Sequence, residues 1–346
     1  MDNLRRAILL ITVILLVGAA VIGFMLALNG FGHSDGGSVV DLIPEGEKYD
    51  PDSSALPETP GVAGDSQRYT DIFVVTGDKS GLPELIFSVS ADYEALKLDL
   101  IFYPVDTCVS LRSADGSSEF KTLSDYYAAE GSDKLKEACD GILGIPSDGV
   151  LAFSFESLAK FVNCFTSRDS GILYNVPCSI TSDGYSGHTF TIRSGLTHFV
   201  GNNSRNLLSF YRNENGVYDS DTVRFYDGTR LPQNIVAATF VKAFIAQKLT
   251  GNTDSYYLSN YLSYFEDLFA SCAGRFDEDM SKRLKEYEAA ISSDNIRSFV
   301  ITTEETGASR DNVYAGSIIQ VENVDGVISR EEISGSGLSD LIAGLY

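Results

Sequence analysis

The sequence predicts a layered α/β/α domain with a mixed central sheet, preceded by one N-terminal transmembrane helix. Three features predict it. β-Branched apolar runs alternate with helical stripes, two neighbouring strands are joined too tightly for a parallel crossover, and an uncharged apolar stretch from Ala7 to Leu28 opens the chain.

That stretch comes first in the chain. A helix rises about 1.5 Å per residue and the hydrocarbon core is about 30 Å thick, so roughly 20 residues span it, and Ala7 to Leu28 suffices. A secretory signal would carry a shorter apolar region, about 7 to 15 residues, and a small-x-small cleavage site; "FMLALNGFG" offers none. Arg5 and Arg6 precede the run and no basic residue follows before Lys48, which predicts a single-pass protein of the cell membrane with a cytoplasmic N-terminus and an extracytoplasmic main domain. Residues 1–6 are then a cytoplasmic tail and 7–28 the membrane helix. Residues 29–68, rich in Gly, Ser, Pro and Asp ("DPDSSALPETPGVAGDS"), read as a flexible stalk with too little apolar surface to offset the entropy of ordering. The α/β domain takes 69–346.

Within it, "DIFVVTG" from Asp71 to Gly77 reads as a short strand, and "ELIFSVSADYEALKLDLIFYPV" from Glu84 to Val105 as two alternating strands turning at "ADYEA". "GSDKLKEACDGILG" places Leu135, Ala138, Cys139 and Ile142 at helical spacing, with Ser132 as the expected cap. "DGVLAFSF" and "GILYNVP" add strands, and "SFESLAKFVNCF" adds a helix between them. "NIVAATFVKAFIAQKL", Asn234 to Leu249, is apolar around most of its circumference, so burial on two sides is expected. Helices after Asp254 and in "DEDMSKRLKEYEAAI" precede the late strands "IRSFVITTEE" and "GSIIQVEN".

Composition excludes some functions. A formal charge of −22 without any basic run argues against nucleic acid, whose phosphates are bound by clustered Lys and Arg. Any anionic ligand needs a local pocket of opposite sign. The five cysteines fit no paired zinc spacing; disulfides and buried free thiols both remain open. There is no G-x-G-x-x-G after a strand, no P-loop, no G-x-S-x-G elbow and no H-E-x-x-H, and nothing around His188 or His198 supports a Ser/His/Asp triad.

What remains is acids and arginines at element ends. Asp78 and Asp106 each follow a strand, and two carboxylates there would hold one hard cation through oxygen. Arg212 in "SFYRNENG" and Asp227 with Arg230 in "YDGTRLPQN" lie before the apolar helix. Guanidinium forks facing a cation-bearing carboxylate pair suit a pyrophosphate. Singly, each of these residues reads better as a turn former or a surface ion pair.

Taken in order, these segments resemble the LytR-CpsA-Psr family of membrane-anchored bacterial cell-wall enzymes. Gly77-Asp78 is similar to the family's G-x-D strand end, "PEL" at Pro83 to S-D-T, Pro104 to Thr107 to P-R-D-T, and "KTLSDYYAAEG" to K-[IL]-x-x-A-Y-x-x-G. "GILGIPSDGVLAFSFESLAKFVNCF" resembles the following helix, strand and helix. "RSGLTHFVGNNSRNLLSFYRN" resembles L-x-G-x-x-A-L-x-y-x-R, and "DGTRLPQN" resembles D-x-x-R-x-x-R-Q. The departures are specific: Val105 stands where the family has arginine, Glu214 replaces the second arginine of R-x-R, and Gln233-Asn234 replaces R-Q.

The resemblance implies transfer of a glycopolymer from a polyprenyl-pyrophosphate carrier to peptidoglycan, with Mg²⁺ on the pyrophosphate and apolar helices around the lipid. It implies catalytic roles for Asp106, Arg212 and Arg230, metal binding by Asp78 and Asp106, and substrate binding by Lys79, Asp227 and Gln233, Lys79 standing in for an arginine after the first aspartate. The substituted arginines favour the alternative, a non-catalytic polyprenyl-phosphate or cell-wall binding or scaffold protein.

Overall fold

The structure, a computed structural model, describes residues 68–112, 117–144, 146–167, 169–182, 189–212, 216–250, 285–305 and 312–334. The N-terminal apolar run, the stalk, His33, His188, Glu214, Cys272, the helix after Asp254 and the C-terminal tail lie outside them. Among the described residues no helix is long and apolar enough to cross a membrane.

Strands β1 (Arg68–Thr76), β2 (Pro83–Asp92), β3 (Lys97–Tyr103), β4 (Thr107–Arg112) and β5 (Ser118–Thr122) come first, then helices α1 (Leu123–Glu130) and α2 (Ser132–Leu143). β6 (Gly149–Ser154), α3 (Phe155–Phe165), β7 (Ile172–Val176), β8 (Ile180–Ser182), β9 (Phe190–Ile192) and β10 (Gly195–Phe199) follow. Next are α4 (Gly201–Leu208), α5 (Ser220–Phe225) and α6 (Leu231–Lys248), and the described chain closes with β11 (Ile296–Glu305), β12 (Asn312–Val324) and β13 (Val327–Ile333).

The main sheet has the order β5-β4-β12-β11-β3-β2-β1-β6, with β13 also on β12. It is mixed: β1–β6, β3–β11 and β4–β12 pair in parallel, the other neighbours antiparallel. The β2–β3 hairpin is the expected one, its register pinned by Phe87 opposite Phe102. Side-chain alternation sends Ile72, Val74, Ile101 and Tyr103 to the face under α1 and α2, and Phe73, Val75, Leu100 and Phe102 to the face under α3, α4 and α6. Three layers result, as the sequence predicts. Phe73, Phe87 and Phe102 stack in a row on the second face, with centroids 5.2 and 4.8 Å apart.

α6 is buried from Pro232 through Phe240, which matches its all-round apolar sequence and lays it across β3 and β11. Pro232 stands in its first turn, where a missing N–H costs nothing. Ser154 caps α3 by accepting from Ser157 N at 3.2 Å. α2 differs from expectation: Gly131, at φ 79°, takes the cap position without a side-chain cap bond, and Ser132 is already helical. The reason is the tight junction, since the same glycine ends α1 by donating to Tyr127 O at 2.8 Å. Gly201 opens α4 because any Cβ there would strike the Ala159 carbonyl of α3. Asp99 of β3, 1% exposed, accepts a two-pronged bond from Arg297 of β11 at 2.7 and 2.9 Å, which ties the parallel pair at the centre of the sheet. Cys139, Cys164 and Cys178 are free thiols.

The pairing fixes where a site can form. β1, β3, β6 and β11 run one way, so their C-terminal ends share one edge, and β4 and β12, running oppositely, begin there.

Candidate functional site

Asp106 sits at that edge, in the turn between β3 and β4. Thr107 N closes the turn on Pro104 O at 2.9 Å, and Ser124 N donates to Val105 O at 3.0 Å, anchoring α1 to it. One carboxylate oxygen of Asp106, Oδ2, accepts from Asn312 Nδ2, which the parallel β4–β12 pairing sets opposite Thr107. Oδ1 is buried with no hydrogen-bond partner, as is Thr107 Oγ1 beside it. Burial pushes the Asp106 carboxyl above the usual carboxylate range; the Asn312 donor and the Arg230 guanidinium pull the other way.

Arg230, immediately before α6, is therefore within electrostatic reach of Asp106. Its position is held from two sides. Nη1 donates to Gln233 Oε1 at 2.9 Å, and the guanidinium carbon lies 3.5 Å from the centre of the Tyr211 ring. Gln233, 1% exposed, passes the constraint on by donating Nε2 to Leu208 O at the end of α4, 2.9 Å away. Asn234 donates Nδ2 to Arg230 O at 2.8 Å, while its Oδ1 is buried and unpartnered.

The other expected site residues are placed differently. Arg212 donates Nη1 to Val223 O and Nη2 to Asp227 O, each at 3.4 Å, so it braces the loop leading to Arg230. Asp227 Oδ1 closes its own turn, accepting from Thr229 N at 2.9 Å and Thr229 Oγ1 at 2.7 Å. Asp78 is exposed after β1, and its Oδ1 accepts from Glu156 N at 2.9 Å in the first turn of α3. Lys79 is exposed in the same turn. Asp78 and Asp106 thus share an edge but leave strands separated by β2, roughly 10 Å at the backbone. No cluster of three or more His, Cys, Asp or Glu side chains among the described residues could hold a metal. Mg²⁺ keeps several waters and takes one or two carboxylates plus substrate phosphates, so the single unpartnered Asp106 Oδ1 fits such an ion better than a closed protein cage would. Val105 is buried in the core under α1 and α2.

Two participants escape the sequence. Asn312 lies 206 positions from Asp106 and reaches it only through strand pairing. Arg205 of α4 has its Nε buried without a partner, Ser204 Oγ beside it is likewise buried and unpartnered, and the Arg205 charge acts on Glu156 at the start of α3. A signal was available: positions 201, 204, 205 and 208 share one helical face, and Leu208 marks that face as buried.

An apolar cavity of ≈ 220 Å³ runs between the sheet and α3, α6 and helical residues 285–290. Phe153 and Leu158, flanking the start of α3, form its wall nearest the strand ends; Phe87, Val241 and Phe244 line it further in, and Tyr287 lies beyond them.

No family model matches the chain, and neither does any curated protein sequence. Solved structures do match. Bacillus subtilis TagV superposes with a TM-score of 0.56 at 13% identity over 81% of this chain and 96% of that one. A candidate transcription regulator from Eubacterium siraeum gives 0.56 at 13% over 78% and 95%, and TagT bound to LI-WTA gives 0.50 at 10% over 81% and 89%. The mixed sheet, its two helical layers and the order of its elements are the fold seen in LytR-CpsA-Psr proteins such as TagV and TagT.

Proposed function

We propose that this chain is a divergent LytR-CpsA-Psr-like protein that handles a polyprenyl-pyrophosphate-linked saccharide at the outer membrane face for attachment to peptidoglycan. One observation carries the proposal: a buried carboxylate oxygen without a partner, Asp106 Oδ1, lies within electrostatic reach of a clamped guanidinium, Arg230, on a sheet edge, while an apolar cavity lies farther along the sheet against α3 and the second half of α6. A hard, anion-bearing head group with a long apolar tail matches that combination. The likeness to TagT, whose structure holds a wall teichoic acid ligand, supports the same ligand class.

In this account the Ala7 to Leu28 run anchors the chain in the membrane, the residues between it and β1 form the stalk, and the chain from β1 onward is the working domain. Asp106 Oδ1 would hold Mg²⁺, which would neutralise pyrophosphate charge when bound, while Asp78 stands at the same edge two strands away and is engaged by Glu156 N. Arg230, kept in place by Gln233 and Tyr211, faces the charge that develops on the phosphates as the bond to the carrier breaks and one to an acceptor hydroxyl forms. Arg212 and Asp227 shape the loop that presents Arg230, and Lys79 adds positive charge at the rim.

A second reading, a lipid-binding or scaffold protein without turnover, is favoured by two specific observations. Val105 is buried in the core where the resembling family carries an arginine, and Arg212 is engaged by backbone carbonyls. A transfer assay with lipid-linked saccharide, peptidoglycan and Mg²⁺ separates the two. Product formation that Asp106→Ala abolishes supports the enzyme; tight lipid binding with no product from the unaltered chain supports the binder; absence of both removes the proposal.

A further inference from the structure

We infer that Arg205 is a phosphate-binding residue of this site, reaching the head group from the α3 side while Arg230 reaches it from the α6 side. The inference rests on the ligand class proposed above and adds a residue that neither the motifs nor the fold likeness assigns.

The path of α4 carries it. At its start Gly201 is packed against α3, its N–H donating to Asn163 Oδ1 at 2.9 Å. At its end Leu208 O accepts from Gln233 in the first turn of α6. α4 therefore runs from the second half of α3 to the start of α6, and Arg205 lies between the two anchors, one turn before Leu208. Its charge is felt by Glu156, the residue whose N–H Asp78 accepts. Glu156 already has a cation of its own, Lys160 Nζ at 2.9 Å, so Arg205 is not consumed by it.

Chemistry then selects the ligand. A guanidinium has five N–H donors and no acceptor, and Arg205 Nε is buried with no acceptor among the described residues. Next to it, Ser204 Oγ is also buried and unpartnered, and so are Asn234 Oδ1, Thr107 Oγ1 and Asp106 Oδ1. Native proteins leave few buried polar atoms unpaired, so two on α4 and three in the β3–β4 turn and the first turn of α6 call for a polar ligand that completes the bonding. Donors on the α4 side call for anionic oxygens, which a phosphate supplies in the forked geometry that Nε and one Nη match. Arg205 thereby restores at another position positive charge that Val105 and Glu214 do not provide.

The test uses the full chain in detergent micelles, titrated calorimetrically with geranylgeranyl pyrophosphate and, separately, with geranylgeraniol, which has the same tail and no phosphate. The unaltered chain is expected to prefer the pyrophosphate. Arg205→Gln should weaken pyrophosphate binding about ten-fold or more, as for loss of a charged hydrogen bond, and leave the alcohol unchanged. Arg205→Lys, which keeps the charge and is the milder change should Gln disturb folding, should recover part of the loss; melting curves of both variants control for unfolding. Pyrophosphate binding that Arg205→Gln leaves intact but Asp106→Ala and Arg230→Gln weaken would overturn the inference and spare the proposed ligand. Equal losses on both lipids would make Arg205 a packing residue and overturn it too. If the unaltered chain shows no preference for the pyrophosphate, the ligand proposal and this inference fall together.

Discussion

Asp106 is the residue at which stability and function pull apart. Its folded carboxyl has a raised pKa chiefly because burial disfavours the charged form. The linkage sign follows: the neutral acid is the better-tolerated state, so this group's contribution favours folding below the unfolded pKa and is lost as pH rises through the raised folded value. Asp106→Asn removes the charge while keeping an oxygen for Asn312. Its melting temperature should therefore exceed that of the unaltered chain by about 1 °C or more near pH 7 and converge with it near about pH 3.5, where the acid is already protonated. Thermal melts at the two pH values check this, and a lower melting temperature at neutral pH would mean that the Arg230 attraction outweighs the burial cost. A residue kept in spite of its cost to the fold is expected at a working site.

Among the elements, the parallel β3–β11 pair depends on its charged tie. Asp99→Ala leaves Arg297 without its carboxylate at the sheet centre, and unfolding in urea should show a loss of about 2–3 kcal/mol, discounted because the Arg297 side chain is 34% exposed. An unchanged urea midpoint would reduce that tie to a surface contact. Local sequence made some elements legible and hid others. The β2–β3 hairpin showed itself because alternation over both strands met a connection too short for a crossover, and α6 because its apolar residues leave no polar face. β8 to β10 are three to five residues each and carry polar residues such as Thr181 and His198, so no period stands out in them, whereas β7, the partner of β10, was legible in "GILYNVP". The site divides the same way. Asp106 and Arg230 were legible as a strand end and a helix start, whereas Asn312 is joined to Asp106 by pairing distant in sequence, and Arg205 looks like any mid-helix arginine until α3 and α6 are in place around it. Asp78 and Asp227 were legible as acids in turns, but only coordinates reveal that one bonds a helix start and the other its own loop.

For the whole molecule, the central contrast is between a net charge of −22 and three arginines, Arg205, Arg212 and Arg230, carried by α4 and the segments that lead from it to α6. The excess negative charge disfavours indiscriminate polyanion binding, so on the proposed function an anionic head group is held by these arginines and its apolar tail by the cavity. Val241→Phe narrows that cavity from the α6 side. It should weaken geranylgeranyl pyrophosphate and geranylgeraniol binding alike, by about ten-fold, with the melting temperature unchanged or raised because a void is filled. Undiminished binding of both would place the tail elsewhere. The most direct test of the account is a crystal structure of the chain with a polyprenyl pyrophosphate and Mg²⁺. It should show the phosphates between Arg230 and Arg205 with the cation on Asp106 Oδ1 and the prenyl chain along Phe87, Phe153 and Phe244. A lipid bound away from these residues, or a cavity that stays empty while the ligand is present, would contradict it.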